Sequence, residues 1–201
     1  GASTTYISPP LPKTITWNRG KITFSFVDDT GSMSDECNGT ANRLESLTMT
    51  DPQGQLVRQI IFTSGAFGDG RRNLKSVSIK GESEVLEAYS FIYKSRAKSD
   101  SKDFFGYPNG NITDLKRHSV LSTARLKLSK SRYSDATSIT DGMLTSVKSS
   151  AGLETTFEYE PSKITNTDTL SIFGPEVTVG VRLKKISVRD LKNGRTRTRE
   201  F

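Results

Sequence analysis

An all-β domain is what this sequence predicts: repeated antiparallel β-hairpins forming an extended twisted or two-layer sheet, with at most one short helix. Three features of the 201-residue chain lead there: a recurring motif, period-two alternation of apolar and polar residues, and glycine-bearing turns between the alternating runs. The motif places an apolar or small residue three and five positions after its start, then a glycine, then in four of five copies a strand ending in aromatics. A unit that returns along a chain shares its core with its neighbours, because one copy alone cannot bury its apolar face.

Residues 1–11, rich in Ser and Thr and carrying Pro9 and Pro10, read as an extended arm. Residues 12–201 then read as one hairpin-repeat domain. The first copy, near 12–26, carries Ile15, Trp17, Gly20, Phe24 and Phe26. A second, near 44–62, has Leu47, Met49, Gly54, Ile60 and Phe62, with Asp51-Pro52-Gln53-Gly54 at its turn. In the third, near 74–93, Val77 and Ile79 precede Gly81, and Val85, Tyr89, Phe91 and Tyr93 share a face. The fourth, near 144–159, pairs Val147 and Ser149 with Phe157 and Tyr159 across Ser150-Ala151-Gly152. The last, near 183–201, runs from Ile186 and Val188 through Lys192-Asn193-Gly194 to Phe201. Alternation around a turn of this composition is a strand–turn–strand signal, and glycine supplies the positive φ that such turns use.

Three connections are longer. Residues 27–42 are polar, 63–72 form a glycine-rich loop, and 94–142 are a long insertion. Within the insertion, Leu126 and Leu128 alternate with Arg125 and Lys127 as one further strand would. Residues 135–142, from Asp135 to Gly142, suit a short capped helical turn. The expected shared core consists of Ile15, Trp17, Phe24, Phe26, Leu47, Ile60, Phe62, Val77, Ile79, Tyr89, Phe91, Val147, Phe157, Tyr159, Ile186 and Val188.

Composition narrows the chemistry. The apolar fraction of 33% suits sheets with one solvated face better than a thick helical core. No run approaches the roughly 18 apolar residues of a spanning helix. Gly1-Ala2-Ser3 lacks the character of a signal peptide and looks like the remnant of a cleaved tag, so membrane attachment is expected only through a removed N-terminal anchor. The single cysteine, Cys37, rules out an intrachain disulfide; beside Asp35 and Glu36 it reads as an incidental loop thiol. The net charge of +7 is spread among 22 acidic residues, and solvated strand faces account for most of it.

Catalytic, cofactor and metal sites are not expected. His118, beside Ser119 and near Asp114, reads as part of a solvated basic loop rather than a triad. Asp28/Asp29, Glu82/Glu84 and Glu158/Glu160 are carboxylate pairs of the kind glycoside cleavage uses, but Glu158 and Glu160 point the same way from one strand, into solvent. The segments Asp28–Ser32 and Asp141-Gly142 offer oxygen ligands without calcium-loop spacing. Arg195, Arg197 and Arg199 alternate as an anion-tracking stripe would, yet the equivalent face ends in aromatics elsewhere, so no nucleic-acid partner is expected. The candidate ligand-binding group is the aromatic loop 103–110, with Asp103, Phe104, Phe105, Tyr107 and Asn109, whose rings either stack on a sugar or pin the loop to the sheet.

Val188-Arg189-Asp190-Leu191-Lys192-Asn193-Gly194-Arg195 and Thr50-Asp51-Pro52-Gln53-Gly54 resemble the YD (RHS-type) repeat. The order of Gly106-Tyr107-Pro108-Asn109-Gly110, Gly142-Met143-Leu144, Phe157-Glu158-Tyr159-Glu160 and Gly180-Val181-Arg182-Leu183-Lys184-Lys185-Ile186 is similar to large YD-repeat-like surface proteins of Bacteroidetes. That resemblance implies an extracytoplasmic, non-enzymatic β-scaffold, at the cell surface, outer membrane-associated or secreted. Its partners would be flanking repeats of the same polypeptide. A carbohydrate-binding module using the 103–110 loop is the alternative, with a glycan as partner.

Overall fold

The computed structural model describes residues 11–28, 42–68, 70–96, 107–108, 135, 137–165 and 176–201. They form ten strands: β1 Thr14–Trp17, β2 Gly20–Asp28, β3 Asn42–Thr50, β4 Leu56–Ala66, β5 Arg72–Lys80, β6 Val85–Tyr93, β7 Leu144–Ser149, β8 Leu153–Thr165, β9 Glu176–Asp190 and β10 Thr196–Glu200. All are antiparallel in one open sheet whose spatial order is the chain order. The fold is all-β, with no helix among the described residues.

The five repeats coincide with five hairpins, β1–β2, β3–β4, β5–β6, β7–β8 and β9–β10. Turn chemistry sets them. In the second, the Gly54 amide donates to the Asp51 carbonyl at 3.1 Å and the Gln55 amide to Asp51 Oδ1 at 2.7 Å. The last is held by Asp190, whose Oδ1 accepts from the Lys192 amide at 2.8 Å and whose Oδ2 accepts from Asn193 Nδ2 at 2.6 Å. Such carboxylate–backbone bonds fix a turn locally, before any strand pairing. Gly20, Gly54, Gly152 and Gly194 take the positive φ expected of them. Gly81 does not, and its turn closes instead through its amide on the Glu84 carbonyl at 2.9 Å.

Contacts gather the chain into two compact units. The first comprises residues up to 66 with 70–91 and 148–151, the second 67–69, 92–147 and 152–201. In the first unit, strand register assembles apolar rows on one face: Ile15–Ile22–Met49, then Phe24–Leu47–Ile60–Ile79, then Phe62–Val77–Tyr89. The opposite face carries Thr23–Thr48–Gln59–Lys80 and Ser25–Ser46–Ile61–Ser78–Ala88. Gln59 Nε2 donates to Thr48 Oγ1 at 3.3 Å across that face. In the second unit Phe157–Ile186–Arg199 and Thr155–Val188–Arg197 form rows on one face, and Glu158–Lys185–Glu200 on the other.

Three expectations are corrected. None of the sixteen anticipated core side chains is buried; Ile15 is 52% exposed, Val188 37%, and the others are half-buried. The buried large hydrophobic among the described residues is Ile139, which lies on no strand. Alternation marks a face as apolar, but burial needs a second layer over it, and the described residues supply one sheet only. Second, a register shift between Ile79 and Lys80 sets Val85 opposite Lys80, while Glu87 stands opposite Ile79, so Val85 leaves the Tyr89 face. Third, residues 63–66 and 72 belong to strands, since ladder pairing of Gly65 with Asn73 and Ala66 with Arg72 overrides the weak strand preference of glycine. Where a short capped helical turn was expected, the Ile139 amide donates to the Asp135 carbonyl at 2.9 Å and Asp135 Oδ1 accepts from the Thr137 amide, a single capped turn. The arm through residue 10, the connection 29–41 and the strand anticipated around Leu126 lie outside the described residues.

Candidate functional site

Of the aromatic loop, Asp103, Phe104, Phe105 and Asn109 lie outside the described residues, and Tyr107 lies within them. Tyr107 is half-buried against β9. A Cβ built on Gly180 would sit 3.3 Å from the Tyr107 hydroxyl oxygen and 3.5 Å from its Cε2. The ring therefore occupies space that any other residue at 180 would contest. Gly180 is buried and pairs with Ser162 on β8. A ring laid over a strand glycine shields exposed backbone and restores the packing that glycine lacks. Sequence reasoning singled out Tyr107 but missed Gly180 as its seat. The available signal was glycine inside a strand run, which marks close approach by another group.

A second polar cluster joins the end of β6 to the start of β7. Lys94 Nζ donates to the Thr137 carbonyl and to Thr140 Oγ1 at 2.7 Å, and lies 2.9 Å from Asp141 Oδ1. Its backbone pairs with the same segment: the Lys94 amide donates to the Met143 carbonyl at 2.8 Å, and the Gly142 amide to the Lys94 carbonyl at 3.1 Å. Next to it, Asp135 accepts from the Thr137 amide at 3.1 Å, Thr137 Oγ1 at 2.8 Å and Ser138 Oγ at 2.6 Å. These bonds, that from Ser138 foremost, hold the Asp135 carboxyl below its usual range. An ammonium whose donors already meet three acceptors is a clasp, not a nucleophile in waiting. Phe67 meets Tyr93 edge to face at 5.6 Å in the same unit.

The Glu158/Glu160 pair projects from one face of β8, as its spacing predicted, and each carboxylate meets a cation on β9. Arg182 Nε donates to Glu160 Oε1 at 2.6 Å, and Lys185 Nζ lies 3.6 Å from Glu158 Oε1. Neighbouring Ser146 Oγ, buried, bonds Glu154 Oε1 at 3.2 Å. Arg197 and Arg199 stand opposite Val188 and Ile186, and the Arg199 guanidinium carbon lies 5.0 Å from the Phe201 ring centroid. Phe201 thus has a cation on its ring while remaining 57% exposed. Glu82 and Glu84 border an open depression of about 310 Å³ at the β5–β6 turn, shared with Leu56, Gln59 and Lys80. No group of three metal-ligating side chains occurs among the described residues. His118, Cys37 and Asp29 lie outside them, while Asp28 ends β2, exposed.

No protein-family model and no curated protein matches the chain. Among solved structures it is similar to a porin-like protein from Bacteroides uniformis, with 14% identity and a TM-score of 0.36 over 90% of this chain. The chain spans 56% of that protein's length.

Proposed function

We propose that this chain is a non-enzymatic structural β-module of a larger YD-repeat-like protein that works outside the cytoplasm, at the cell surface or after secretion. The observation that carries the reading is the stacking of five hairpins in strict chain order. A meander of this kind extends strand by strand, so flanking repeats of the same polypeptide are its natural partners. Side-chain chemistry agrees. Glu160 with Arg182, Glu158 with Lys185, and Lys94 with Asp141 neutralise one another along surfaces instead of converging on a cleft. Paired charges stiffen a scaffold; a catalytic acid or base needs a perturbed group poised toward a substrate.

The test is a hydrolase screen of the full chain against aryl glycosides, esters and phosphates, with the heat-denatured chain as baseline. The expected result is equal signal from both samples. Saturable turnover that disappears on denaturation would overturn the proposal. A glycan array addresses the alternative: a wild-type signal lost in Tyr107→Ala would make the chain a sugar-binding module.

A further inference from the structure

β10 ends the sheet, paired with β9 on one side and open on the other, and all five of its residues are exposed. The ladder fixes which backbone groups face the open side. The Asp190 amide donates to the Arg195 carbonyl at 2.8 Å, and the Phe201 amide to the Lys184 carbonyl at 3.0 Å. Bonds to one neighbour fall on alternate residues of an antiparallel strand, so the amides and carbonyls of Arg197 and Arg199 also face β9. Thr196, Thr198 and Glu200 then direct theirs outward, a template for one more strand.

Side chains give that template a sign. Arg197 stands in the row Thr155–Val188–Arg197 and Arg199 in the row Phe157–Ile186–Arg199, neither of which holds a carboxylate. Among the described residues no ion pair reaches either guanidinium, whereas Lys94, Arg182 and Lys185 of the same unit each have one. Arg199 lies over the Phe201 ring, which leaves its charge in place. On the reverse face charge is matched: Lys185 lies between Glu158 and Glu200, and Arg189 stands opposite Glu154. The unmatched charge on β10 is thus positive, confined to one face and spaced about 7 Å along the strand. We infer that β10 takes as its next strand an extended acidic segment, antiparallel to it, whose carboxylates at alternate positions face Arg197 and Arg199. This rests on the scaffold reading, in which a flanking repeat supplies that strand.

In the new ladder Arg197 and Arg199 would occupy the non-hydrogen-bonded sites, where facing Cα atoms are about 4.5 Å apart and side chains meet most closely. A second copy of the chain does not fit. Two β10 strands paired antiparallel about Thr198 would set Arg197 against Arg199 at both ends, and like charges directly opposite repel. The other edge, β1, has no carboxylate from Lys13 to Arg19 and is flanked by those two bases. A nucleic acid would meet the guanidinium groups but leave the outward carbonyls of Thr196, Thr198 and Glu200 without a strand to donate to them.

The experiment titrates the isotope-labelled full chain, up to millimolar concentration, with a synthetic peptide as long as β10 that alternates glutamate with threonine, and follows the amide resonances. The same peptide with lysine in place of glutamate is the control. Saturable shifts centred on the Thr196, Thr198 and Glu200 amides are expected with the acidic peptide and none with the lysine peptide. R197E/R199E should weaken the acidic peptide about tenfold or more and admit the lysine peptide instead. If that variant unfolds, the contrast between the two peptides on the wild type decides. Absence of shifts with the acidic peptide overturns the inference and leaves the arginines as a guard against edge pairing. Equal shifts with both peptides overturn it too, as does binding indifferent to R197E/R199E. So does an oligothymidylate that shifts these amides at lower concentration than the acidic peptide, which would make the stripe a phosphate track. Each of these failures leaves the scaffold reading standing, since that reading falls only to turnover in the hydrolase screen or to sugar binding on the array.

Discussion

Tyr107 rests on the backbone of Gly180, with its hydroxyl oxygen only 3.3 Å from where a Cβ at that position would lie. Tyr107 thereby meets β9 where a side chain is missing. Filling the space from below should cost as much as removing the ring from above. Gly180→Val is expected to destabilise by about 1–3 kcal/mol, the usual range for overpacking. Tyr107→Ala should lose a comparable amount. Because both substitutions break the same contact, the double variant should lose less than their sum, by roughly 0.5 kcal/mol or more. Denaturant midpoints of the four proteins give the coupling, and strict additivity would mean that the ring and the glycine do not depend on each other.

Two turn glycines separate steric from conformational cost. At Gly20, φ is +154° and a Cβ would lie 2.3 Å from the Thr50 carbonyl oxygen on the neighbouring strand. At Gly54, φ is +86° with nothing within 4 Å. Gly54→Ala should cost about 1–2 kcal/mol, the left-handed penalty alone. Gly20→Ala should cost clearly more, because Thr50 pairs with Lys21 in the ladder and its carbonyl cannot retreat without shifting that register. Thermal melts of both variants measure the difference; equal losses would show that the strand edge yields freely.

Acid should loosen the turn after Asp135. The bonds from Ser138 and Thr137 lower the folded-state pKa of this carboxyl below its unfolded value of about 3.9. A depressed pKa contributes stability that is fully present above the unfolded value and is lost as pH falls through the folded one. The carboxylate is largely open to solvent, so screening keeps the contribution small. Asp135→Ala should therefore be less stable than wild type at pH 6, with the gap closing as pH drops below about 4. Chemical denaturation at several pH values follows it, and a constant gap down to pH 2 would remove the carboxylate from the account.

The hairpins were legible because their causes are local. Asp51-Pro52-Gln53-Gly54 and Asp190 with Asn193 build turns out of their own side chains, and alternation on either side needs only the pleat. What the alternating residues face was not legible. Phe24 and Phe62 do share a face, as their parity implied, yet whether that face is covered depends on a second layer that no parity rule supplies. Register shifts were equally hidden. One extra residue near Leu86 carries Val85 across the sheet, and nothing in the composition of Val85-Leu86-Glu87 announces it. The seat of Tyr107 joins positions far apart in the chain, so its two halves were visible separately and their meeting was not.

Lys94 ties three consecutive decisions of the chain together, and its removal should show all of them. Its ammonium meets the Thr137 carbonyl, Thr140 Oγ1 and the Asp141 carboxylate, of which Asp141 is only 19% exposed. Lys94→Met keeps the apolar stem but leaves that carboxylate partly desolvated and unmatched, an expected loss of about 1–3 kcal/mol. Adding Asp141→Asn removes the stranded charge and should recover part of the loss, which a mere packing defect at residue 94 would not allow. The damage should also be local. The Ile139 amide, bonded to the Asp135 carbonyl at 2.9 Å, should exchange faster in Lys94→Met, while amides of the β8–β9 ladder in the same unit keep their protection. Uniform loss of protection across both segments would instead mean that the clasp holds the unit as a whole.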